Sequence, residues 1–350
     1  MQYYPWATNT SLMKTKYIKS ILTAYSVFIF VVLITSCSKS NPNTKIIFDT
    51  DFGGDADDLG ALAMLNHFQN KGEAELIGIA CWNLEKHAVS AIDAVNTYYG
   101  NPDIPVSRRS GESHETPWNH SKVIADNLPH DLSLDNVPDA TKMYRKLLST
   151  SDDHSVVIIA VGPLMNIKSL IDSQADEFSG LSGQELINTK VKEFVIMGGN
   201  FPKSENEWNF DGNMPGVTKY VLEQIQLPIT FSGAELGNAI KTGEVFKELP
   251  KDSPLYLGFY HFGKYAPWMK HQFKGEIYDN ATFDQTAVLY AVRNGVGNYW
   301  HKIEDGLCVA DSIGGNTWVS KLNSNHSYLV LDKEIKEMEL ALEAFMLGDF

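Results

Sequence analysis

The sequence predicts an α/β fold: a mostly parallel central sheet flanked by helices, in a single domain spanning residues 45–350. Two observations carry that expectation. Short, continuously apolar, β-branched runs recur along the chain, as strands buried on both faces of a parallel sheet require. Between them lie longer segments with helical spacing, the alternation expected of right-handed strand–helix–strand crossovers. The strand candidates are Lys45–Phe48, Leu76–Cys81, Val156–Val161, Phe194–Met197 and Pro228–Phe231, and the helix candidates are Leu59–Asn70, His87–Tyr99, Thr141–Ser149 and Pro215–Gln226. Polar motifs follow several of these strands directly. They therefore gather at the carboxyl edge of the sheet, where open α/β proteins bind ligands.

The chain in order begins with a leader. Lys14, Lys16 and Lys19 precede an apolar run from Ile21 to Ser36 that is shorter than a membrane span and ends Ile34-Thr35-Ser36-Cys37. A basic segment, a short apolar stretch and small closing residues read as a signal peptide over residues 1–36. The closing tetrapeptide resembles a bacterial lipobox, which implies lipidation at Cys37, a membrane anchor, and an exported, periplasm-facing protein of a Gram-negative bacterium. An uncleaved anchor helix is the alternative, and Met13 is an alternative initiator. Residues 37–44 form a polar tether. Removing the leader takes away three lysines and no acids, so the formal charge falls from −14 to −17. That balance excludes a nucleic-acid backbone as the main partner. Cys81 and Cys308 are then expected to be buried free thiols, and no Cys-x-x-Cys knuckle is present.

The first strand runs into Asp49-Thr50-Asp51-Phe52-Gly53-Gly54-Asp55-Ala56-Asp57-Asp58, which puts five carboxylates within ten residues. Clustered negative charges repel unless a cation neutralises them, and all-oxygen donors suit a hard ion such as Ca²⁺ or Mg²⁺. An EF-hand loop starting at Asp49 would need a bidentate Glu where Gly60 stands, and a helix rather than a strand before it. An Asp-x-Asp phosphatase would use Asp49 as nucleophile, with a later Lys and a second acidic pair that the sequence does not show.

Four further segments bear on the choice. Asn83 follows the second strand in Ala80-Cys81-Trp82-Asn83. Ala160-Val161-Gly162-Pro163-Leu164-Met165-Asn166 follows the third. Met197-Gly198-Gly199-Asn200 follows the fourth, with Glu207-Trp208-Asn209 just beyond it. Thr282-Phe283-Asp284-Gln285-Thr286-Ala287-Val288 opens a helix over Phe283–Asn294. Together with the acidic loop, these resemble the inosine/uridine-preferring nucleoside hydrolase family in the family's own order.

The resemblance implies an open Rossmann-like architecture and a Ca²⁺ site. Its ligands would be the carboxylates of Asp51, Asp58 and Asp284 and the backbone carbonyl of Val161. It implies a ribonucleoside as small-molecule partner, cleavage of the N-glycosidic bond by an activated water, and Asp51 as general base. Asn83, Met197, Asn200, Glu207, Asn209 and one of Asp55 and Asp57 would bind the substrate. A homo-oligomer is compatible with it. Two departures stand out. The acidic loop is two residues longer, which leaves Asp55 and Asp57 as alternatives for the sugar-binding role. Phe283 replaces a His that protonates the leaving base in some members. Candidate acids lie in the aromatic stretch Phe259–Asp279, read as a loop or short-helix insertion: Tyr260, His261, Tyr265 and His271. A nucleoside- or sugar-capture protein, or a weakly active homologue acting on another riboside, is the alternative function. Asp332 is expected to cap a last amphipathic helix carrying Ile335, Met338, Leu342 and Phe345.

Overall fold

The computed structural model describes residues 1–2 and 44–350, and Thr44–Phe350 clusters as one unit. Cys37 and the leader and tether expected around it lie outside the described residues, apart from residues 1–2 and Thr44.

The strands are β1 (Thr44–Thr50), β2 (Ala74–Cys81), β3 (Val106–Arg108), β4 (Val156–Ala160), β5 (Val191–Met197), β6 (Lys203–Ser204), β7 (Ile229–Ser232), β8 (Lys241–Thr242), β9 (Asn280–Ala281), β10 (Trp300–Ala310), β11 (Asn316–Ser320) and β12 (His326–Leu331). Ten of them form one sheet in the order β3-β2-β1-β4-β5-β7-β12-β10-β11-β6. Every pairing from β3 across to β12 is parallel, and those of β10, β11 and β6 are antiparallel. The five expected strands are β1, β2, β4, β5 and β7, with ends shifted by a few residues.

Their apolar runs are continuous because both faces are covered. Ile46 and Phe48 of β1 point into one hydrophobic cluster and Ile47 into the other, and Val157 and Ile158 of β4 divide in the same way. Each face is closed by helices: Asp57–Asn70 and Asp284–Arg293 on the first, Ala140–Thr150 and Met165–Asp172 on the second. Cys81 and Cys308 are buried and free. Among the described residues, no helix is long and apolar enough to cross a membrane.

One expectation is sharpened and one corrected. The aromatic stretch Phe259–Asp279 opens on the second half of a regular helix, Pro254–Tyr265, and continues from Ala266 to Asp279 as turns and loop. Ser253 caps the helix, with Pro254 in its first turn, and Leu255, Phe259 and Phe262 are buried at helical spacing. Asp332 does not cap the last helix. Its carboxylate pairs with His301 Nδ1 at 2.6 Å, and the helix Ile335–Leu347 begins after Glu334 without a side-chain cap.

Candidate metal centre and active site

β1 carries the acidic residues to the carboxyl edge of the sheet and releases the chain into a tight loop. Gly53 turns it at φ +104°, a conformation that L side chains rarely adopt, and a side chain there would strike Asn119 and Ser121. The loop closes into the helix Asp57–Asn70, whose first turn contains Asp57 and Asp58. Carboxylate oxygens of Asp55, Asp57 and Asp58 lie within 4.8 Å of one another. Asp58 is 1% exposed and accepts a hydrogen bond from the Thr50 hydroxyl. Asp57 accepts from the backbone N–H of Asp58 at 3.1 Å and of Phe283 at 3.3 Å, which ties the acidic loop to the start of the helix Asp284–Arg293. Asp284, the first residue of that helix, is 3% exposed.

These groups raise one another's pKa. Burial first, and then the charge of Asp55, pushes the Asp51 carboxyl up to about 7. Asp57, Asp58 and Asp284 rise well above the carboxylate range. Burial is the first cause in each, followed by the charge of Asp55, Asp51 and Asp57 respectively. No lysine or arginine forms an ion pair with any of the five among the described residues. Clustered carboxylates without a counter-charge, and no His or Cys in the cluster, have the donor set of a hard divalent cation such as Ca²⁺.

Asp49 stands apart from this group. It is 2% exposed, accepts from Tyr144 Oη at 2.8 Å and Asn166 Nδ2 at 3.1 Å, and does not line the cavity described below. Burial outweighs both bonds and raises its carboxyl to about 7. Neither an EF-hand nor a phosphatase nucleophile fits a residue buried in this way.

A cavity of about 670 Å³ opens over the acidic loop. Asp51, Asp55, Asp57, Asn83, Val161, Met197, Glu207, Asn209 and Asp284 all line it, while Asp58 lies beneath its floor. Asp51 Oδ2 accepts from Trp208 Nε1 at 2.9 Å. Gly162 faces Asp51 so closely that a Cβ there would sit 2.8 Å from the Asp51 nitrogen. Asn83 Nδ2 donates to the carbonyls of Asp51 and Phe52, at 3.1 and 3.2 Å, so this side chain holds the acidic loop. Asn209 Nδ2 donates to the carbonyls of Val161 and Met197, at 3.0 and 3.2 Å. Glu207 caps the short helix Trp208–Asp211, and its oxygens accept from the backbone nitrogens of Gly199, Asn209 and Phe210. Asn200 does not line the cavity. Its backbone N–H and carbonyl are both bonded to the Asn316 side chain, which anchors the segment to β11.

Residues 46–335 match the family described as inosine-uridine preferring nucleoside hydrolase. The chain belongs to that family. Three solved structures share the nucleoside hydrolase fold, at identities too low to carry more than the fold. The effector protein XOO4466 has a TM-score of 0.61 at 14% identity, covering 87% of this chain and 93% of its own. The type III effector protein XopQ, complexed with adenosine diphosphate ribose, has a TM-score of 0.58 at 13% identity over 88% and 94%. An inosine-guanosine nucleoside hydrolase has a TM-score of 0.56 at 18% identity over 86% and 98%. No curated protein matches the sequence.

Around this cavity the structure also places residues to which the sequence reading gave no role. Trp82, Trp118, Trp208 and Trp268 join Phe283 in forming aromatic walls, and Arg109, His114, Asn119 and Asn238 add polar groups. His120, fully buried behind Asn119, bonds the Asp55 carbonyl through Nε2 at 2.7 Å and so fixes the longer loop. Burial lowers its pKa to about 4. None of Tyr260, His261, Tyr265 and His271 lines the cavity. The first three border a separate pocket of about 370 Å³, and Trp268 is what the aromatic stretch contributes here. One sequence signal was available: Trp208 stands where the family resemblance has Phe, and only an indole can donate to Asp51.

Proposed function

We propose that this protein hydrolyses the N-glycosidic bond of ribonucleosides, releasing base and ribose, with Ca²⁺ as its cation. The observation that carries the proposal is the set of buried carboxylates at the floor of a cavity whose walls are aromatic and amide-bearing. Asp51, Asp58, Asp284 and the Val161 carbonyl would hold the cation, with Asp55 and Asp57 beside Asp58. A bound divalent cation neutralises this cluster and makes a nearby water more acidic.

The chain's own groups do the rest. Asp51 lines the cavity and would act as the general base, taking a proton from the attacking water. Trp208 fixes the orientation of its carboxylate. Asn209 and Glu207 are held rigidly by backbone partners and present fixed acceptors to sugar hydroxyls. Water attacks C1′ of an oxocarbenium-like transition state as the C1′–N bond breaks. Purified protein should release ribose from inosine or uridine and stop when a chelator is added, measured by a reducing-sugar assay. Turnover that survives complete metal removal would contradict the proposal.

A second reading, capture of a ribosyl ligand with weak or no turnover, is favoured by Phe283. That residue leaves the expected leaving-group position without a proton donor. Tight nucleoside binding without ribose release would support it.

We further infer export and lipid anchoring at Cys37. Cys37→Ala should move the protein from the membrane fraction to the soluble one, and an unchanged distribution would rule the anchor out.

A further inference from the structure

Arg109 is the only lysine or arginine among the residues lining the cavity, and the hydrolysis proposed above leaves it without a role. β2 and β3 are parallel with Cys81 paired to Arg108, so the residues that follow them, Trp82 and Arg109, emerge side by side. The Arg109 backbone N–H donates to the Cys81 carbonyl at 2.8 Å, and its Nε donates to the Trp82 carbonyl at 2.9 Å. The guanidinium lies over the Trp82 ring, 4.4 Å from the centroid. These contacts fix the plane of the group. The Nε bond is its only side-chain hydrogen bond among the described residues, so both terminal nitrogens are left as a fork. No carboxylate pairs with it, although Asp51, Asp55, Asp57, Glu207 and Asp284 line the same cavity. Partial burial lowers its pKa.

A planar, immobilised guanidinium with two free NH₂ groups matches the two oxygens of a phosphate or carboxylate. We propose that Arg109 is a specificity-determining residue that binds an oxyanion on the substrate, so that the preferred ribosides carry a phosphate on the sugar or a carboxylate on the leaving base. This rests on the hydrolase reading. The bond broken is still C1′–N: water gives its hydroxyl to C1′ and its proton to the leaving nitrogen, and the anionic group is unchanged. A bracing role for Trp82 alone would affect neutral and anionic substrates alike.

The test compares inosine, inosine 5′-monophosphate and orotidine with wild-type protein, Arg109→Ala and Arg109→Lys. At least one anionic riboside should exceed inosine in kcat/KM. Arg109→Ala should lower that value at least about tenfold more than it lowers the value for inosine, and Arg109→Lys should recover part of the difference. The phosphate and carboxylate arms identify the source of the oxyanion. Parallel losses on all three substrates would overturn the proposal. If no riboside is cleaved, the hydrolase reading fails and calorimetry with ribose 5-phosphate and orotate decides on Arg109. Binding by wild type that Arg109→Ala loses upholds the anion site, and equal or absent binding in both rejects it.

Discussion

Asp51→Asn is expected to fold normally and to lose at least about 100-fold in ribose release, since a general base alone contributes about 10²–10⁴. The substitution keeps the volume of the side chain and an oxygen that can still accept from Trp208 Nε1, so the local packing survives. What it removes is the only cavity-lining carboxylate that is pinned by Trp208 and backed directly by Gly162. Trp208→Phe provides the graded comparison. It keeps the aromatic wall but deletes the donor, so Asp51 loses its fixed orientation and not its chemistry; a loss of about three- to tenfold in kcat is expected, in line with one hydrogen bond. Steady-state ribose release together with a thermal melt of each variant separates the two effects. An Asp51→Asn protein that melts like wild type and retains turnover would remove Asp51 from the mechanism.

The parallel core was legible because burial on both sheet faces writes itself as unbroken apolar runs, as in Val156–Ala160, all five of whose residues are buried. β10 was not legible for the opposite reason. Its pattern is half-exposed and irregular, with a register shift between Ile303 and Gly306, so no strand period emerges. The helix Pro254–Tyr265 had a readable signal in Ser253-Pro254 and the spacing of Leu255, Phe259 and Phe262, but its density of aromatic residues masked it. At the site, residues near each other in sequence also come together in space: Asp51, Asp55 and Asp57 of the acidic loop line the cavity, and the Asp58 carboxylate lies within 4.8 Å of those of Asp55 and Asp57. Arg109, Asn119 and His120 were invisible because their meaning arises from strand adjacency and loop packing, which no local motif records. Asn200 shows the converse, since a motif position can be captured by a distant side chain, here that of Asn316.

Asp58→Asn should affect stability in opposite directions with and without the cation. In chelator, the folded-state pKa values of Asp49 and Asp51 are about 7, and those of Asp57, Asp58 and Asp284 are also raised well above the carboxylate range, against about 3.9 unfolded. The native state therefore binds more protons than the unfolded state across that interval, and stability falls as pH rises through it. Five histidines lowered by burial, His67, His87, His120, His261 and His326, work the other way at lower pH. His120 and His326, both lowered to about 4 by burial, add stability as pH rises toward about 6.5, so the carboxylate effect stands clear only above that value. Asp176, held down to about 2 chiefly by Arg145, loses its contribution only below about pH 4. Between about pH 6.5 and 7.5 the chelated wild type should thus lose thermal stability. Ca²⁺ should restore it, and by more at the higher pH, because carboxylate ligands must give up their protons to bind. Asp58→Asn removes one of the mutually repelling charges while leaving an acceptor for the Thr50 hydroxyl, so the chelated variant should melt at a higher temperature than chelated wild type at pH 8. The same change deletes a proposed ligand, so the increment gained from Ca²⁺ should largely vanish. Differential scanning calorimetry at pH 6.5 and 8, with chelator and with Ca²⁺, reads all of these quantities. A chelated variant less stable than wild type, with its Ca²⁺ increment intact, would show that the carboxylates are compensated from within the protein and that the floor of this cavity is not a cation site.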